Sequence, residues 1–150
     1  VEGTHNTHEY LRYGHTWQKL TNNLKLVQDM KIKNLILKIN HVVQAPSYHS
    51  IMDMTHFFDS TGLEIHPIML TYPKHFHISA LTRHAKEKFL VDVEDYKGMN
   101  KEFINFVKNV TQENIEQDNT LTVECVKHLK EFDMVRKNSY KDIIPIENLS

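Results

Sequence analysis

The chain of 150 residues has one cysteine, Cys125, and so no partner for an internal disulfide. A lone thiol fits a reducing, cytoplasmic compartment. Charge of one sign is also missing. Eighteen basic side chains face 19 acidic ones, a formal net charge of −1, so the basic footprint of a nucleic-acid binder is absent. No apolar run approaches the roughly 20 residues that cross a bilayer, and the polar, His-bearing N-terminus has no secretion-signal pattern. There are no internal repeats, no low-complexity tracts, no H-E-x-x-H pair and no Cys/His finger spacing. An initiating methionine is missing too. The chain opens on Val1-Glu2-Gly3 as though a strand had just ended, and the expectation is a fragment.

What is present is an ordinary globular composition, 40% hydrophobic and 25% charged, at a length that buries one sizeable core. The organising stretch is Asn34 to Gln44, N-L-I-L-K-I-N-H-V-V-Q. It is short and aliphatic, which predicts a buried parallel strand covered by helices on both faces. Alternation places Lys38, Asn40, Val42 and Gln44 on one side and Leu35, Leu37, Ile39, His41 and Val43 on the other. A second strand is expected over Leu63 to Leu70, where Pro67 favours an edge. Between them Ser50 and Asp53 suggest a capping box, opening a helix that buries Ile51, Met54, Phe57 and Phe58 and stops at Gly62. Strand, helix and strand form a βαβ unit. A parallel sheet lacking earlier strands leaves an open edge, and open edges promote association.

Upstream, Thr4 or Thr7 opens a short helix through Tyr13, and Thr16 caps an amphipathic helix over 16–31. Its apolar stripe is Trp17, Leu20, Leu24, Val27 and Met30, with Trp17 expected as a core anchor. Downstream, helices are expected over 79–96, from Asn100 through Val110 and over 121–135, with an irregular tail from Tyr140 to Pro145. Cys125 reads as a core thiol, and Asp133 with Arg136 as a helix ion pair worth a few tenths of a kcal/mol.

Three groups of residues suggest chemistry. Polar residues at the carboxyl end of a parallel strand suit ligand binding, which singles out Asn40 and Gln44. Arg12, beside Tyr10 and Tyr13, suits bidentate carboxylate recognition, with a solvated helix arginine as the alternative. Histidine is over-represented, with 11 residues. His41 and His66 at a barrel mouth, with His5, His8, His75 and His77, would suit a metal-dependent hydrolase or isomerase. Another reading is a non-catalytic helical binding module built on residues 79–150.

The segments V-E-G, H-E-Y-L-R-Y-G-H-T-W-Q-K-L-T-N-N-L and L-I-L-K-I-N-H-V-V-Q, in that order, resemble the later half of a radical S-adenosylmethionine domain. L-T-Y-P-K-H-F-H-I-S-A-L-T and F-D-M-V-R-K-N-S-Y-K-D-I-I-P are similar to the C-terminal part of the twitch domain-containing proteins of that family, from phage and marine bacteria. The resemblance implies a partial (β/α) barrel with parallel strands over residues 1–75, followed by a mainly helical extension over 76–150. It implies S-adenosylmethionine and a 4Fe-4S cluster as cofactors, with a 5′-deoxyadenosyl radical abstracting hydrogen from a small-molecule or peptide substrate. Arg12 then meets the methionine carboxylate, while Asn40, Gln44 and Met69 line the cofactor pocket. The family's C-x-x-x-C-x-x-C loop, which holds the cluster through three thiolates, is not here. Pro145-Ile146-Glu147 stands where the family shows Pro-Glu. The expectation is that the cluster-bearing half of the barrel lies upstream of Val1 and that this chain alone is inactive.

Overall fold

Two six-residue strands run parallel, Lys38–Val43 (β1) and Glu64–Met69 (β2), with Lys38 opposite Glu64 and Val43 opposite Met69. The computed structural model describes all 150 residues, Val1 to Ser150. It places six helices around these strands: α1 His5–Leu11, α2 Trp17–Asp29, α3 Ile51–Thr61, α4 Arg83–Asp92, α5 Lys101–Glu113 and α6 Asn119–Arg136. The chain is thus α/β, with a parallel pair followed by a helical C-terminal half.

A third extended line lies beside β1. The Val1 nitrogen donates to the Asn40 carbonyl at 2.6 Å, and the Val42 N–H donates to the Val1 carbonyl at 3.3 Å. This alternation belongs to a parallel ladder with Val1 opposite His41. Gly3 then turns the chain into α1 with φ near 101°, and a Cβ there would stand 2.6 Å from Ser50 Oγ. Only glycine lets the segment before α3 approach so closely.

Two expectations about β1 need correction. The strand does not begin at Asn34, which has φ 66° in the left-handed region. Leu35 and Ile36 stay 48% and 79% exposed because nothing lies beside them. Nor is the sheet covered on both faces. Ile39, His41 and Val43, with Ile65 opposite, face the core, whereas Lys38, Asn40, Glu64, His66 and Ile68 are exposed. The polar residues at alternate positions were the signal for this one-sided burial.

Thr16 caps α2 as expected, accepting from the Lys19 N–H, and Trp17 is buried with its ring 5.0 Å from Phe57. Gly62 ends α3 in the left-handed conformation. The Ser50–Asp53 capping box does not form. Residues 45–50, with Pro46 near their start, already make a tight helical turn, and Ser50 Oγ donates to the Ser47 carbonyl instead. The expected helix over 79–96 contracts to α4, capped by Thr82 Oγ1. Cys125 lies fully buried in α6, and burial pushes its thiol up to about 12.

Asp133 and Arg136 are not an ion pair. Asp133 Oδ1 accepts from Tyr10 Oη at 2.8 Å and from the Tyr140 N–H at 2.8 Å. Arg136 donates to the Tyr10 carbonyl and lies over the Phe132 ring. Both side chains fasten α1 to α6. One continuous apolar core runs from Tyr10 to Leu149 and joins the two halves.

The outer edge of β2 is blunted. Since the Leu70 N–H donates to Val43 of β1, the odd-numbered residues turn their N–H groups outward. Ile65 N–H is taken by the Asn100 side chain at 2.7 Å, and Pro67 has none to offer. Beyond Val1, by contrast, β1 has no neighbouring strand along that edge. The chain is therefore expected to self-associate through the β1 edge as concentration rises. Sedimentation or size-exclusion showing a monomer at millimolar concentration would contradict this.

Candidate functional site

Polar residues collect between α1 and α2, where the chain leaves its pairing with β1 at Val1. Val1 leads through Glu2 and Gly3 into α1, and Arg12 follows its last turn. Arg12 Nε and Nη2 each donate to one oxygen of Glu2, both at 2.5 Å. This is a side-on, two-point ion pair of the kind that fixes a guanidinium plane. Glu2 is 7% exposed, whereas the Arg12 side chain is 56% exposed. The hydrogen bonds and charge of Glu2 hold Arg12 protonated even more firmly than usual.

Arg12 borders a recess of about 310 Å³ between α1 and α2, together with His15, Lys19 and Asn23. Such a volume lies at the lower end of small-molecule sites. Asn40 lies on the exposed sheet face, opposite His66, and its side-chain amide makes no hydrogen bond within the chain. Gln44 sits at the exit of β1, only 8% exposed. Met69 is half-buried opposite Val43, which puts it on the covered face, away from Asn40. The four expected cofactor-lining residues therefore do not share one sheet face.

The histidines do not form a metal centre. Their register separates the two strand histidines: His41 stands opposite Pro67 and points into the core, while His66 stands opposite Asn40 on the exposed face. His5 and His8 pack their rings on Trp17, at 5.4 and 5.7 Å. His77 Nδ1 is paired with Ser79 Oγ, and His75 stacks on His128 at 3.8 Å. No three His, Cys, Asp or Glu side chains gather as a ligand set.

Several buried histidines are instead held neutral. His41 is 0% exposed, neither ring nitrogen makes a well-formed hydrogen bond, and burial, opposed only in small part by the nearby Val1 backbone, pushes its pKa down to about 3. His49 accepts from or donates to Thr7 Oγ1 at 3.1 Å, and burial lowers it to about 4. His8 is lowered by burial as well.

Glu2 was not singled out in the sequence. Its signal was an acidic residue between Val1 and Gly3, ten positions before the one arginine flanked by tyrosines. No helix of the structure is long and apolar enough to cross a membrane. No protein-family model, curated protein or solved structure matches this chain.

Proposed function

We propose that this chain forms the later strands of a radical S-adenosylmethionine fold and binds the amino-acid end of S-adenosylmethionine. The observation that carries this reading is Arg12. It follows the first of three parallel lines and is held flat by Glu2, with Nη1 free of any bond within the chain. A free guanidinium edge accepts a carboxylate through two parallel N–H groups. Asn40, with an unengaged amide on the exposed face, adds a hydrogen bond. Gln44 closes the exit of β1. Met69, on the covered face, takes no part.

The chain's own residues do not fit the iron–sulfur cluster. Its single thiol is buried in α6 and held protonated, and three thiolates are required. In this proposal the cluster is held by residues outside this sequence. S-adenosylmethionine bound there supplies, on reductive cleavage, the radical chemistry for hydrogen abstraction. The contribution of this chain is to bind and orient the carboxylate. The metal-dependent hydrolase reading loses its support because His41 and His66 lie on opposite faces. The helical-module reading loses its support because Phe89, Phe103, Val107 and Leu129 are buried in the shared core.

Titrating the 15N-labelled chain with millimolar S-adenosylmethionine tests the proposal. Saturable shifts are expected at the Arg12 side chain and at Asn40. Arg12→Lys is expected to weaken binding roughly tenfold, about 1.4 kcal/mol, because an ammonium cannot present a planar fork. The absence of any response at Arg12 or Asn40 would overturn it.

A further inference from the structure

We infer that Glu2 is a specificity-determining residue, making the free edge of Arg12 a site for a zwitterionic or cationic amino-acid head group and against phosphate. The inference rests on the proposed binding of an amino-acid carboxylate at Arg12. Its basis is the way the five guanidinium hydrogens are divided. Glu2 takes one on Nε and one on Nη2. Of the three left, the second hydrogen on Nη2 and one of the two on Nη1 form the end-on edge, which donates to a second planar carboxylate.

The charge of Glu2 matters as much as its geometry. Without it, the recess would present Arg12 and Lys19 as two uncompensated cations beside His15, a lining suited to a dianion. With it, a buried negative charge stands one guanidinium width from the ligand site. The acid is 7% exposed, so water screens it poorly. A ligand feels this charge in proportion to its own. A dianionic phosphate is repelled, a neutral zwitterion is affected little, and a head group carrying an ammonium and a sulfonium is attracted. Orientation and charge selection thus come from one side chain.

The experiment compares the wild-type chain with Glu2→Gln and Glu2→Asp. Each is titrated near pH 8 with S-adenosylmethionine (net positive), S-adenosylhomocysteine (net neutral) and inorganic phosphate, observing the Arg12 Nε–H resonance. Glu2→Gln is expected to raise affinity for phosphate relative to S-adenosylmethionine by about tenfold or more. The homocysteine derivative should fall between them. Glu2→Asp, which keeps the charge, should restore the wild-type ranking. If Glu2→Gln weakens all three ligands equally, Glu2 is only structural and the inference fails, while the proposed function stands. If neither adenosyl ligand binds but phosphate binding still rises in Glu2→Gln, the proposed function fails and the charge selection stands. If no ligand moves Arg12 in any variant, both fail.

Discussion

Replacing His41 by leucine is expected to make the chain markedly more resistant to acid. His41 is wholly buried with neither ring nitrogen in a well-formed hydrogen bond, its ring edge-on to Phe103 at 5.6 Å. Burial lowers its pKa from 6.5 to about 3. Between those values the unfolded chain binds a proton that the folded chain does not. Stability therefore falls as pH drops below 6.5 and continues to fall until about 3. At about 1.36 kcal/mol for each pKa unit, the full loss from this one side chain is on the order of 5 kcal/mol. His49, lowered to about 4, acts in the same direction over a narrower window. The loss is comparable to the whole stability of a small domain, so the wild-type chain is expected to unfold cooperatively between about pH 6 and 4. Leucine cannot be protonated and is close in volume. His41→Leu should lower the acid midpoint by about one pH unit and leave neutral stability unchanged or raised. Trp17 fluorescence followed through a pH titration, with urea melts at neutral pH and near pH 5, measures both. Coincident acid transitions for the two proteins would refute this account.

Asn100→Ala should destabilise the fold by about 2–4 kcal/mol at neutral pH, since it strips partners from two buried backbone groups and removes one donor from the half-buried Asp59. Asn100 was expected as the cap of α5, and it does stand at that position. Its side chain, however, makes no capping bond. Oδ1 accepts from the Ile65 N–H at 2.7 Å, and Nδ2 donates to Asp59 Oδ1 at 2.8 Å and to the Leu63 carbonyl at 3.2 Å. Asp59 also accepts from Tyr96 Oη at 2.6 Å. One amide thus joins the end of α3, the start of β2 and the start of α5. Asn100→Asp should be at least as damaging, because it removes the Nδ2 donor and sets a carboxylate against Asp59. Urea denaturation gives the values, and a loss below about 1 kcal/mol would show that water replaces the amide without cost.

The features legible in the sequence were those decided locally. The cap of α2 at Thr16, the end of α3 at Gly62 and the edge character of β2 at Pro67 follow from single residues and their neighbours. The parallel pairing followed from two short aliphatic runs with a helix between them. The one-sided sheet was also legible, since Lys38 and Asn40 alternate with Ile39 and His41, but the apolar content of the run outweighed that pattern. What was not legible depends on distant partners. Ser50 caps nothing because the turn before it, started by Pro46, is already helical. Asp133 and Arg136 face each other in helical spacing, yet each is drawn away by Tyr10. Arg12 stands out by its type and position as a candidate, but the acid that orients it does not, because the turn at Gly3 brings Glu2 to it.

The fastening of α1 to α6 has a consequence for how the chain is made. Tyr10 Oη finds its acceptors at Leu129 and Asp133, which lie 119 and 123 residues further on. At a synthesis rate of roughly 5–20 residues per second, the first helix waits on the order of ten seconds for its anchor to leave the ribosome. Through that interval the face of α1 that carries Tyr10 is bare. The recess beside Arg12 is bordered by that same helix, so one of its walls stays unanchored until α6 has been made. Synthesis runs along the sequence, whereas this contact forms only once both of its ends exist, so α1 is anchored well after it is made.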